Sequence, residues 1–152
     1  MRLVIQRVKK SDVTIDGHIQ GVIEGGLMVL VGFESHDTIE IVDKMVEKMV
    51  YLRIFEDENG KMNKSLIDVK GSLLSISQFT LYADCRKGRR PSFIEAASPE
   101  IAIPLYNYFN DKIKEYGVHV ETGIFGADMQ VSLINDGPVT IILDSQEIIK
   151  HR

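Results

Sequence analysis

Gly26-Leu27-Met28-Val29-Leu30-Val31-Gly32-Phe33 is apolar on both faces, the pattern of a central strand covered from two sides. Outward from it the periodicity changes. Upstream, Leu3, Ile5 and Arg7 alternate with Val4, Gln6 and Val8, Val13-Thr14-Ile15 follows, and Asp16-Gly17 turns the chain toward Ile19 and Val22, so a β-hairpin opens the chain. Downstream, Asp37 is the expected N-cap, with Glu40 three residues on, of a helix whose Ile39, Val42, Val46, Met49 and Val50 recur at helical spacing. A strand over Tyr51-Leu52-Arg53-Ile54-Phe55 and a tight turn at Asn59-Gly60 come next. Gly71 to Ile76 reads as a buried strand that runs on through Tyr82. A second helix starts at Ser98-Pro99-Glu100 and stops at Gly117, with Ile101, Leu105, Phe109, Ile113 and Tyr116 along one side. That aromatic stripe is read as core, not as a cofactor site. Strands over Val118 to Thr122, Met129 to Ile134 and Val139 to Leu143 close the chain. About eight strands and two helices make an α+β domain.

At 152 residues, 44% hydrophobic and 26% charged, the chain suits one compact domain over 1–152. It has no apolar run long enough to span a bilayer, and Arg2, Arg7, Lys9 and Lys10 interrupt any signal segment. A cytoplasmic protein with no membrane partner is expected. One cysteine, Cys85, excludes an internal disulfide, and His18, His36, His119 and His151 share no ligand spacing with it, so neither a metal nor another cofactor is expected. The net charge of −4 argues against general affinity for phosphate backbones. Locally, Arg86-Lys87-Gly88-Arg89-Arg90 places four positive charges in five residues. It is either a solvated loop or a place to hold an RNA end.

Two short segments have compositions that a plain core does not explain. Ser77-Gln78-Phe79-Thr80-Leu81 puts three polar side chains where a core strand carries apolar ones, and buried polar groups need partners. By itself the string also fits an ordinary strand with Gln78 facing water. In Asn135-Asp136-Gly137-Pro138-Val139-Thr140, a proline enters a strand-like run that it cannot join as a donor, which assigns it to a strand start, an edge or a bulge. An X-Pro bond is also the one peptide bond that is cis at tolerable cost. A plain turn into the last strand is the other reading.

Together with Met1 to Val8, Leu52-Arg53-Ile54-Phe55-Glu56-Asp57, Gly60-Lys61-Met62-Asn63, Arg86 to Phe93 and Phe125-Gly126-Ala127-Asp128-Met129, these segments resemble the bacterial D-aminoacyl-tRNA deacylases. The blocks fall in that family's order from residue 1 to about Ser145. Cys85 replaces the small polar residue expected there, and Gln146 to Arg152 is a tail beyond the shared region.

The resemblance implies a layered β/β/α sandwich with a curved, barrel-like sheet and two main helices. It implies a homodimer whose sites lie at the subunit interface, acting on aminoacyl-tRNA without a cofactor. The implied reaction is hydrolysis of the ester of D-aminoacyl-tRNA, and of mischarged glycyl-tRNA, with L-aminoacyl-tRNA rejected: chiral proofreading in translation quality control. Ser77, Gln78, Phe79 and Thr80 are the implied catalytic residues, with the backbone N–H groups of Phe79 and Thr80 stabilising the oxyanion. The Thr80 hydroxyl is the alternative nucleophile, but no adjacent base is evident to activate it. Gly137, Pro138, Val139 and Thr140 are the implied substrate-binding residues. There, a cis Gly137-Pro138 bond would aim carbonyl oxygens at the α-ammonium, so that an L side chain meets backbone. Arg86, Lys87, Arg89 and Arg90 would hold the transfer RNA. A noncatalytic tRNA- or nucleotide-binding dimer is the alternative, and a general esterase a more distant one.

Overall fold

The computed structural model describes residues 1–150. Its first strand, β1 (Arg2–Ile15), organises the sheet. Residues 2–8 of β1 pair antiparallel with β3 (Gly26–Gly32), residues 11–15 with β2 (His18–Ile23), and residues 2–14, with two breaks in register, with β8 (Gln130–Asp144). β3 then pairs parallel with β6 (Ser72–Ser77), and β6 parallel with β7 (Val120–Thr122). A two-stranded ribbon, β4 (Phe55–Glu56) with β5 (Met62–Lys64), stands apart. Because β2 folds back toward β6 and β7, the sheet curls nearly into a barrel.

The apolar run at β3 is central, as its composition requires. Leu27, Val29 and Val31 face one core, shared with helices α1 (Ile39–Val50) and α2 (Pro99–Glu115). Met28 faces the other, inside the curl, with Val8, Val13, Ile23, Leu74 and Ile76. Helices, sheet and curled sheet therefore form the β/β/α layers of an α+β fold.

Several local expectations change. Thr38, not Asp37, caps α1, its hydroxyl accepting from the Ile41 N–H. The Asp37 carboxylate is already engaged by the Met1 ammonium (2.8 Å) and the Glu34 N–H (2.8 Å). The run Tyr51 to Phe55 is strand only from Phe55, because Tyr51 closes α1 with N–H bonds back into the helix. Ile101 is partly exposed, and Ala102, Tyr106 and Asn110 take the buried face of α2 beside Leu105, Phe109 and Ile113. The two strands expected at Met129 to Ile134 and Val139 to Leu143 are one, β8, interrupted by a bulge. The tail begins as a third helix, α3 (Ser145–Lys150), whose Ile148 packs on the main core; His151 and Arg152 lie outside the described residues.

Candidate functional site

β6 does not continue through Tyr82. After Ser77 the chain enters a 3-10 turn over Phe79–Tyr82. Gln78 locks the entry, its N–H bonding the Val31 carbonyl at 2.8 Å. The turn lies directly on the end of β3, where a Cβ at Gly32 would stand 2.9 Å from the Gln78 carbonyl and 3.1 Å from the Leu81 Cβ; only glycine admits the turn so close. Arg2 holds the far end, donating to the Leu81 carbonyl (2.8 Å) and to Asp144 (2.9 Å) with its guanidinium 4.4 Å from the centre of the Tyr82 ring. Burial pushes the Tyr82 phenol well above its ordinary value.

The first hydrogen bond inside this turn runs from the Leu81 N–H to the Gln78 carbonyl (3.3 Å). The N–H groups of Phe79 and Thr80 precede it and, among the described residues, have no acceptor, as the first amides of any helical turn do. Two successive free N–H groups form an anion-binding concavity. The Gln78 side-chain amide donates to the Thr80 hydroxyl, so that hydroxyl is held by an amide and not activated by a base.

Behind β6, the Tyr106 hydroxyl donates to the Ser75 carbonyl (2.7 Å), two residues before Ser77, and burial raises the Tyr106 phenol. Ser75 Oγ and Asn110 Oδ1 are buried and, among the described residues, have no hydrogen-bond partner.

The second segment lies elsewhere on the sheet. Gln6 pairs with Thr140 and Val8 with Asn135, so Asp136 to Val139 step out of the ladder as a bulge in β8, the place left to a proline inside a strand. The Gly137-Pro138 bond is cis. Asn135 ties the bulge from within: its Oδ1 accepts from the Val139 N–H (2.7 Å), and its Nδ2 donates to Gln6 Oε1 and to Thr140 Oγ1 (3.0 Å). Arg7, 6% exposed, supports it from beneath, Nε donating to the Asp136 carbonyl (2.9 Å) and Nη1 to the Ile54 carbonyl (2.8 Å). At Gly137 φ is +135°, and a Cβ would stand 2.8 Å from Val139 Cγ2 and 3.1 Å from Arg7 Nη2. Sequence reading assigned Arg7 no role. Its signal was a charge in phase with Leu3 and Ile5, a position whose neighbours face the core.

One chain does not bring the two segments together. Ser77 is level with Val31 and hence with Leu3, whereas the bulge is opposite Gln6 to Val8 and three strands away. With about 3.3 Å per residue and about 4.8 Å per strand, they are separated by roughly 20 Å across the sheet. A groove of about 580 Å³ beside Lys44, Lys48, Tyr51 and Arg53 lies away from both, while one of about 520 Å³ reaches the bulge at Val8 and Asp136 and one of about 470 Å³ reaches the turn at Arg2 and Tyr82.

The basic loop follows the turn. Asp84 and Ser92 exchange backbone bonds (2.7 and 2.9 Å), closing it into a small hairpin. Arg86 folds back onto Asp84 through two bonds of 2.9 and 2.8 Å, which hold that carboxyl at about 2. Lys87, Arg89 and Arg90 are exposed at the tip with no ion pair among the described residues. Among the described residues no helix is long and apolar enough to cross a membrane.

The layered fold with its bulged, curled sheet is a known one. It is shared with the solved structure of the c-Myc DNA Unwinding Element Binding Protein (40% identity, TM-score 0.89, 95% of this chain and 98% of that one). It is shared too with a structure described as a probable eukaryotic D-amino acid tRNA deacylase (18% identity, TM-score 0.83, 93% and 97%), which speaks for the fold alone. The D-Tyr-tRNA(Tyr) deacylase family model matches residues 4–144, and the chain belongs to that family. D-aminoacyl-tRNA deacylases of Thermus aquaticus (58% identity, 97% of each chain) and Bacillus cytotoxicus (60%, 96% of this chain and 100% of the relative) are among its relatives. The activity it carries is hydrolysis of the ester of D-aminoacyl-tRNA.

Proposed function

We propose that hydrolysis takes place between two copies of this chain, with Ser77, Gln78, Phe79 and Thr80 from one and Gly137, Pro138, Val139 and Thr140 from the other. The observation that carries this reading is the pair of free N–H groups at Phe79 and Thr80, some 20 Å within one chain from a bulge that presents backbone carbonyls. Two copies related by a twofold would supply both halves of each site. Among the described residues β8 pairs only with β1, and Ile134 and Ile142 on it are 58% and 68% exposed, a surface that a second copy would cover.

Water adds to the ester carbonyl, and the oxygen that gains charge accepts from the Phe79 and Thr80 N–H groups, donors already in place before reaction. The tetrahedral intermediate expels the ribose oxygen, which takes a proton, and free amino acid and transfer RNA leave. Gln78 fixes the Thr80 hydroxyl, and the neighbouring ribose hydroxyl of the RNA helps to activate the water. No cofactor takes part.

The carbonyl oxygens of Gly137 and Pro138, outside the β ladder, would hold the α-ammonium. With ammonium and ester both pinned, an L side chain at Cα is driven against backbone while a D side chain points away. Glycine has no side chain to reject, so glycyl-tRNA is cleaved as well. Lys87, Arg89 and Arg90 hold the RNA, Arg86 serving mainly to stiffen the loop through Asp84. The reading places the protein in the cytoplasm, in proofreading of charged transfer RNA. Mixing two impaired variants, Thr80→Pro and Gly137→Ala, tests the shared site: heterodimers carry one intact site, bringing activity to about a quarter of wild type, above that of either variant alone. No recovery after subunit exchange would place each site within one chain.

A further inference from the structure

The basic loop and the 3-10 turn are joined by a contact that neither the fold nor the chemistry above uses. Phe93, immediately after the hairpin closed by Asp84 and Ser92, sets its ring edge-on to Phe79, centroids 5.2 Å apart and planes at 73°. Both rings are partly exposed, 38% and 54%, so the pair adds little to either core. Its position is unusual: Phe79 supplies one of the two free N–H groups, while Phe93 ends the segment that carries Lys87, Arg89 and Arg90.

Both partners share one foundation. The turn bonds the Val31 carbonyl through Gln78, and the loop returns to the same strand end, the Ala97 N–H bonding the Phe33 carbonyl at 2.9 Å. Between these anchors the turn's bonds include one of 3.3 Å from Leu81 to Gln78 and one of 3.0 Å from Ala83 to Thr80. Short 3-10 turns have poor hydrogen-bond geometry of their own. The anchors at Gln78 and Leu81 flank Phe79 and Thr80, and a brace on the Phe79 ring would add to how firmly their amides are aimed.

We propose that Phe93 is a positioning residue that braces the oxyanion turn against the RNA-binding loop, so that RNA seated on Lys87, Arg89 and Arg90 tightens the aim of the Phe79 and Thr80 N–H groups. The inference rests on the reading of that turn as the oxyanion site. Binding energy from the RNA body is then expressed in kcat, not only in KM.

The test is the steady-state kinetics of Phe93→Ala, Phe93→Leu and Phe93→Tyr on transfer RNA charged with D-tyrosine, beside Thr80→Pro, which removes one of the two N–H groups. Phe93→Ala is expected to lower kcat about three- to tenfold, the range that corresponds to one edge-to-face contact, with KM within about twofold. Phe93→Tyr, which keeps the ring edge, restores kcat; Phe93→Leu, which keeps only the apolar bulk, does not. An unchanged kcat in Phe93→Ala, a rise in KM alone, or full activity in Phe93→Leu would overturn the brace. Should Thr80→Pro retain full activity, the oxyanion reading itself fails; an inactive Thr80→Pro beside an unaffected Phe93→Ala removes only the brace.

Discussion

At the scale of single residues, the bulge in β8 depends on Arg7, a side chain it does not contain. Arg7 satisfies the Asp136 and Ile54 carbonyls from an almost fully buried position, and removing one partner of a buried charged bond leaves the other groups unpaired. Arg7→Ala is expected to cost about 2–4 kcal/mol, read from urea midpoints, and to lower activity through the bulge. Gly137→Ala meets both a positive φ and the Arg7 guanidinium. A non-glycine residue in such a conformation is strained by about 1–3 kcal/mol, so kcat/KM on D-aminoacyl-tRNA falls at least about tenfold. Thr80→Ala is expected to behave differently: its hydroxyl accepts from Gln78, while the N–H proposed to act belongs to the backbone, so activity should stay within about tenfold of wild type. A loss of three or more orders of magnitude, with RNA binding intact, would return the nucleophile to the Thr80 hydroxyl.

At the scale of elements, the loop after the turn is a preformed hairpin, and its clamp has a pH signature. The Arg86 side chain, then its backbone N–H, hold the Asp84 carboxyl at about 2. Since the folded value lies below the ordinary one near ~3.9, the clamp contributes fully above about pH 4 and is lost as pH falls toward 2. A carboxyl-carbon NMR titration of Asp84 should show its midpoint near 2, moving up toward the ordinary value in Arg86→Ala. Arg89→Ala with Arg90→Ala should weaken RNA binding and flatten the dependence of log K on log salt by about 0.7–0.9 per lost contact. The elements themselves were legible in unequal measure. Periodicity found β3, α1, α2 and the opening hairpin because each buries a long regular face. It missed the break after Ser77, which is set by a bond to Val31 and by the close approach at Gly32, and the unity of β8, which is set by pairing with β1. Asp37 read as a cap because its spacing was right; the partner that claims it comes from the other end of the chain segment, at Met1.

At the scale of the whole molecule, the proposed site was half legible. The residue types in both segments were visible in the sequence, together with the order of motifs that marks the family. Their separation by roughly 20 Å within one chain was not, since distance across a sheet depends on pairings that no local pattern encodes. That separation is why the proposed site draws on a second copy, and in that proposal the question of chirality moves to the interface. One measurement decides whether the bulge and the turn act on one substrate as described: hydrolysis of one transfer RNA charged in parallel with D-tyrosine and with L-tyrosine, at equal enzyme concentration. Fast loss of the D ester with the L ester untouched, and loss of the D activity in Gly137→Ala, is the expected result. Cleavage of both esters at similar rates would contradict the steric gate at Gly137-Pro138.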